Sequence, residues 1–273
     1  MTLCACIQMT ATPDAAANRE AAAALVDQAG REGAAFIALP EAADLLAPDS
    51  AAFQAHVDAG EPARFLEAMA GLARRHRATI LVGSIAARAG DGRLANRSYL
   101  LDAEGRTVAR YDKIHLFDTG MVGARTYRES DTYAPGAEAV LCQSPLGPLG
   151  LSICYDLRFP ALFRALAKAG ARALAIPAAF TEETGAAHWH VLMRARAIEN
   201  GAFVIAPAQC GQHHEGRRTY GHSLIVDPWG RILAEGGTEP GIVMAELDSG
   251  AVDWARAAIG SLSHDRPFSL TVV

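Results

Sequence analysis

Three reactive side chains occupy equivalent places in the amino-acid sequence. Glu41 follows the apolar run Phe36-Ile37-Ala38-Leu39-Pro40, Lys113 follows Thr107 to Asp112, and Cys154 follows Gly150-Leu151-Ser152-Ile153. Each run reads as a strand, and in open α/β sheets ligands gather beyond the carboxyl ends of strands. A thiol attacks a carbonyl as the thiolate, so Cys154 needs a base; a glutamate in a partly desolvated pocket, with raised proton affinity, suits that task. Lys113 and the backbone N–H just after the nucleophile could then stabilise the oxyanion, and Glu41 could activate the water that releases the acyl group. Spacing alone leaves plainer readings open: Cys154 as an inert core thiol, Glu41 as a turn residue, Lys113 as a solvated loop lysine.

The elements that must position these groups follow from hydrophobic periodicity. Short aliphatic runs alternate with longer alanine-rich amphipathic stretches, the pattern of a layered α/β fold. Strands are predicted at Leu3 to Gln8, Phe36 to Leu39, Thr79 to Ser84, Arg97 to Leu101, Thr107 to Tyr111, Ala173 to Ile176, Phe203 to Ala206, Ser223 to Val226, Ile232 to Ala234 and Ile242 to Glu246. Val140 to Cys142 and Leu149 to Ile153 flank Pro145-Leu146-Gly147-Pro148 as an antiparallel hairpin. Helices are predicted from an Asp14 N-cap to Ala29, stopped by Gly30, and over Glu61 to Arg77, Phe159 to Ala169 and Ala186 to Asn200, closed by Gly201. Residues 112 to 138 form a loop too long to be a mere connection. Mixed hairpins and βα units favour two packed sheets with helices outside over a purely parallel sheet.

The 273 residues carry 51% hydrophobic and 20% charged side chains, which fits a globular enzyme and excludes a disordered chain. One domain is expected, with a core over about 1–247 and a tail over 248–273 that packs on its own subunit or on a partner. A net charge of −5 without a Lys/Arg run gives no footprint for nucleic acid. The opening MTLCACIQMT lacks the basic and apolar segments of a leader, and no stretch is long and apolar enough to span a bilayer, so a cytoplasmic protein is expected. Five scattered cysteines suit a reducing compartment. His188, His190, His213, His214 and His222 show no metal-ligand spacing, so neither a metal nor another cofactor is expected.

The segments around the three reactive residues decide between the readings. LPEA, YDKIHLFD, YRESD followed by APG, SICYDLRFP and TGAAHWHVLMRARAIEN closely resemble, in order, motifs of the nitrilase or carbon–nitrogen hydrolase superfamily, from the first strand to about residue 247. The resemblance implies a four-layer αββα sandwich, stacking as αββα-αββα in a homodimer, and a Glu-Lys-Cys triad. It makes Glu41 the base, Lys113 the lysine, Cys154 the nucleophile and Glu129 a second glutamate that positions lysine and substrate. HLFD, CYDLRFP and AFTEETGAAHW look most like the Nit-type branch, which implies a thiol amidase acting on deaminated glutathione or another ω-amide of a 2-oxo acid. An N-carbamoyl amidase is the nearest alternative, and a catalytically silent scaffold the alternative of another class.

A small carboxylate-bearing amide would need cations or N–H donors in the pocket. The candidates are Arg158, Arg125 and Arg128, the backbone of Tyr155, and Phe180, Thr181 and Thr184. In the family the helix carrying Arg194, Arg196, Glu199 and Asn200 lies near the subunit interface, which implies that these residues support a dimer. The chain departs from its relatives at Ala42-Ala43-Asp44 and at 119–123, both flanking the expected pocket.

Overall fold

A computed structural model describes residues 1–122 and 125–272; the side chains of residues 121, 122 and 125 lie outside the description. The first part of the chain supplies β1 (Thr2–Gln8), α1 (Ala15–Arg31), β2 (Phe36–Ala38), α2 (Ser50–Asp58), α3 (Glu61–His76), β3 (Thr79–Arg88), β4 (Leu94–Leu101) and β5 (Thr107–Asp112). A hairpin of β6 (Asp118–Val122) and β7 (Arg125–Arg128) follows. Next come β8 (Leu141–Ser144), β9 (Gly147–Leu151), α4 (Pro160–Lys168), β10 (Ala173–Ala175), α5 (Glu182–Asn200) and β11 (Phe203–Ala206). The chain closes with β12 (Cys210–Gln212), β13 (Arg218–Tyr220), β14 (Leu224–Val226), β15 (Ile232–Glu235), β16 (Gly241–Leu247) and α6 (Gly250–Ala258).

Two six-stranded mixed sheets result, ordered β16-β1-β2-β3-β4-β5 and β15-β14-β11-β10-β9-β8. Alternation along β1 shows how they stack. Ala5 and Ile7 pack with Val26 of α1 and Phe65 and Met69 of α3, whereas Cys4 and Cys6 pack with the second sheet's residues, such as Leu151, Val204 and Ile225. The second sheet's other partners are Phe163 of α4 and Trp189 and Met193 of α5. Sheets flanked by helices on both outer sides are the layering the sequence predicts. No helix among the described residues is long and apolar enough to cross a membrane.

Several local expectations need correction. Gly30 does not stop α1, which runs to Arg31 with Glu32 as its C-cap. Gly30 is instead where α1 approaches α3: a Cβ there would lie 2.3 Å from His76 Cγ. The expected Asp14 cap is present, its carboxylate accepting from the N–H groups of Ala16 and Ala17 at 2.9 and 3.0 Å. Helix α5 begins at Glu182, four residues earlier than predicted, because Gly185, a weak helix former, is there for packing; a Cβ would meet Tyr220 at 2.3 Å. The long 112–138 loop contains the β6–β7 hairpin, and α2, α6 and the β12–β13 ribbon were not expected.

The tail packs on its own chain through α6. Val252 and Ala255 are buried, Arg172 pairs with Asp253 at 2.7 Å, and Arg256 Nε donates to the Gly201 carbonyl at 3.0 Å.

Candidate active site

The Glu41 turn is pressed against the end of β3. Leu39 N–H donates to Leu81 O at 2.9 Å, and Ala43 N–H to Ser84 O at 3.0 Å. Between them Gly83 lies under the turn, where a Cβ would come within 2.0 Å of Leu39 O. Ala42 is held at φ 55°, a left-handed conformation unfavourable for alanine. Ser84 Oγ accepts its N–H at 3.0 Å, and Gln209 Nε2 donates to the carbonyls of Glu41 at 2.9 Å and Ala42 at 3.2 Å. The Glu41 side chain therefore projects from a backbone fixed on both sides.

Lys113 leaves the end of β5 and is fully enclosed. Its Nζ lies 2.8 Å from Glu41 Oε1 and 3.0 and 2.8 Å from the two oxygens of Glu129. Asn96 of β4 bridges the same two carboxylates, its Nδ2 donating to Glu41 Oε1 at 3.0 Å and to Glu129 Oε1 at 2.9 Å. Ala179 N–H donates to Glu41 Oε2 at 2.8 Å, and Phe117 N–H to Glu129 Oε2 at 2.6 Å. One ammonium, one amide and two backbone N–H groups thus satisfy a buried carboxylate pair whose charges would otherwise repel.

Cys154 begins a 3₁₀ turn, Cys154–Arg158, three residues beyond β9. Its φ of 47° is left-handed, and its N–H is tied to Pro177 O at 2.8 Å. The thiol is buried and shares the cavity wall with the Glu41 carboxylate, whose charge acts on it. Burial, reinforced by the Glu41 charge, pushes the Cys154 thiol well up. For Glu41 burial acts upward too, but the Lys113 ammonium and the surrounding donors outweigh it and hold the carboxyl below its ordinary range. This corrects the expectation of a glutamate with raised proton affinity: the cation beside it decides the sign. Burial alone would depress Lys113, yet Glu129 and Glu41 together push it well up.

The turn carrying Cys154 has two further anchors. Asp156, completely buried, accepts from Ile153 N–H at 2.8 Å inside the turn and from Tyr111 Oη at 2.6 Å and His115 N–H at 3.0 Å on either side of Lys113. Arg196 of α5 donates through Nε and Nη2 to Leu157 O at 3.0 and 2.7 Å. Arg196 is thus buried in its own subunit, against the Cys154 turn.

A cavity of about 330 Å³ opens onto Glu41, Lys113, Glu129 and Cys154. Of the expected lining residues, Tyr155, Phe180, Thr181, Thr184 and Arg128 border it. Arg158 is not among the lining residues; its guanidinium stacks over Phe180 at 5.1 Å and contacts His188 at 3.3 Å. The Arg125 side chain lies outside the described residues. Asn96, Tyr133 and Arg217 also line the cavity and were not anticipated. Asn96 had a legible signal, an amide amid apolar strand positions, where asparagine is disfavoured. Arg217 had none, since it belongs to a polar turn remote in sequence.

The histidines separate into two groups. His213 is buried, with contacts to Ala11 O at 2.8 Å and Thr219 Oγ1 at 2.7 Å. His190 Nε2 and His222 Nδ1 both contact Glu235 Oε1, at 2.8 and 2.9 Å, so the fold gathers three side chains of metal-ligating type that their sequence spacing did not reveal.

The carbon–nitrogen hydrolase family model matches residues 3–257. A deaminated glutathione amidase from Synechocystis sp. is 43% identical over 269 residues, 96% of this chain and 97% of that protein. The structure of the C. elegans NitFhit protein superposes with a TM-score of 0.92 at 36% identity; the match covers 97% of this chain, which spans 65% of the NitFhit chain. An amidase from Nesterenkonia sp. AN1 matches at 26% identity and a TM-score of 0.80, over 95% of this chain and 98% of its own. That structure is of a glutamate-to-glutamine variant and shows acrylamide joined by Michael addition to the active-site cysteine.

Proposed function

The chain belongs to the carbon–nitrogen hydrolase family and is an amide-hydrolysing enzyme, and on that premise we propose that it cleaves deaminated glutathione or another ω-amide of a 2-oxo acid through a Cys154 acyl-enzyme. The observation that carries the reading is the position of Glu41, whose carboxylate accepts from the Lys113 ammonium at 2.8 Å on the cavity that the buried Cys154 thiol also lines.

In the resting cavity the proton stays on sulfur, because the thiol is pushed up and Glu41 is held down. When the amide carbonyl arrives, Glu41 takes the thiol proton as the sulfur bonds to the carbonyl carbon. The developing oxyanion is stabilised by Lys113 Nζ and the Tyr155 N–H. Collapse breaks the C–N bond, and Glu41 returns its proton to the leaving nitrogen. Water, deprotonated by Glu41, then attacks the thioester, expelling the thiolate, which recovers a proton. Glu129 fixes Lys113 throughout.

The same reading includes one functional unit over the whole chain, a cytosolic location and a homodimer across α5, where Val191 and Ile198 expose apolar surface at 68% and 51%. It is tested by release of cysteinylglycine from deaminated glutathione beside hydrolysis of 2-oxoglutaramate, with Cys154→Ala as control. Turnover of at least one, abolished in the variant, is expected; turnover that survives in Cys154→Ala rejects the nucleophile.

A further inference from the structure

A row of aromatic rings leads away from the thiol. Tyr155, the residue after Cys154, packs edge-on against Phe117 at 5.1 Å between centroids, and Phe117 against Tyr127 at 5.0 Å. The guanidinium of Arg217 lies over the far ring, 5.6 Å from the Tyr127 centroid. All four residues border the cavity. Arg217 is therefore a cation in the same cavity as the thiol, reached along an apolar wall.

Its fixation is built into the fold. The turn His214–Gly216 connects β12 and β13, and it is closed by His213 N–H donating to Arg217 O at 2.7 Å and Arg217 N–H to His214 O at 3.0 Å. His213 anchors this turn to Ala11 and Thr219. Yet Arg217 stands in no ion pair among the described residues, and its Nε is buried without a hydrogen-bond acceptor among them. A buried guanidinium N–H without an acceptor is unfavourable, and a carboxylate matches it in both charge and fork geometry. The other carboxylates at the reactive end are already engaged: Glu41 and Glu129 by Lys113 and Asn96.

We propose that Arg217 binds a carboxylate carried by the substrate, so that this cavity selects anionic amides over neutral ones. The proposal rests on the amidase reading above and adds the group that recognises the substrate's charge. The carboxylate belongs either to the acyl part or to the leaving amine, and Arg217 offers the same chemistry to both.

The test compares wild type with Arg217→Gln and Arg217→Lys on three amides: 2-oxoglutaramate, anionic only on its acyl side; deaminated glutathione, anionic on both sides; and neutral butyramide. In Arg217→Gln, kcat/KM for an anionic amide falls at least about tenfold, mainly through KM, while butyramide changes less than about twofold. Arg217→Lys recovers part of the loss. Loss on both anionic amides places the carboxylate on the acyl side, and loss on deaminated glutathione alone places it on the leaving amine. An equal loss on butyramide, or no loss on any amide, overturns the proposal. Should wild type hydrolyse none of them, the amidase reading of these substrates fails separately, and protection of Cys154 from iodoacetamide decides the arginine. A half-protecting concentration of 2-oxoglutarate or N-acetylglycine that rises at least about tenfold in Arg217→Gln sustains it; no protection, or equal protection in both proteins, overturns it.

Discussion

The hydroxyl of Tyr111 donates to Asp156 at 2.6 Å, joining the end of β5 in one sheet to the turn that carries Cys154 beyond the other. Because Asp156 also takes the N–H groups of Ile153 and His115, a single buried carboxylate sets the Cys154 turn relative to the segment carrying Lys113. Replacing it with an amide removes the charge and turns one acceptor into a donor facing N–H and O–H groups. Asp156→Asn is expected to lower kcat by about tenfold or more and to destabilise the fold by about 1–3 kcal/mol. Urea unfolding and the rate of Cys154 alkylation measure the two effects, and an unchanged alkylation rate in a folded variant would remove Asp156 from any part in placing the thiol.

Asn96 gives a second prediction. It donates to both buried carboxylates, so its loss leaves Lys113 alone to hold them together. Asn96→Ala removes two charge-assisted hydrogen bonds, and a fall in kcat of about 10- to 100-fold is expected with a smaller change in KM. Steady-state kinetics on the same amide for both proteins separate these terms. A change confined to KM would make Asn96 a binding residue rather than a support for the carboxylates.

Gly83 gives a third. It bears no reactive group, but a methyl there would collide with Leu39 O and Pro40 O, at 2.0 and 2.5 Å, one residue before Glu41. The backbone must shift to relieve such contact, and Glu41 would move with it. Gly83→Ala is expected to cost about 1–3 kcal/mol in stability and to lose activity well beyond that expected from the unfolded fraction. Activity per folded molecule, with folding followed by circular dichroism, is the measurement; full activity per folded molecule would show that the turn accommodates the methyl.

These three supporting residues mark where sequence reading stops. The alternation of β1, the Asp14 cap and the strands before Glu41 and Lys113 rest on local spacing, and the structure contains them. Gly30 and Gly185 misled the reading because a glycine that allows a close tertiary contact looks the same in sequence as one that ends or weakens a helix. Glu41 and Cys154 lie more than a hundred residues apart, and the charge that fixes the acidity of Glu41 comes from Lys113 on another strand. Burial argued for raised proton affinity, and only the placement of that ammonium reverses it. Arg217 similarly acquires meaning from a turn folded against a cavity, not from its neighbours in the chain.

His213 supplies the last prediction, one of pH. Burial depresses its pKa from 6.5 to about 4; the Ala11 carbonyl opposes the shift, and the charges of Arg217 and His214 add to it. The folded protein therefore keeps His213 neutral, with Nδ1–H donating to Ala11 O and Nε2 accepting from the Thr219 hydroxyl. Between pH 6.5 and 4 the unfolded chain binds the proton that the folded one refuses, so stability falls as pH falls through that window and this contribution levels off below it. The loss from this one residue is about 2 kcal/mol at pH 5 and about 3 kcal/mol at pH 4. Urea unfolding of wild type and His213→Gln at pH 7 and pH 5 isolates it, since glutamine can donate and accept without titrating. The variant should lose less stability than wild type between the two pH values, by about 2 kcal/mol; equal losses would show that the imidazole is not held neutral in the fold.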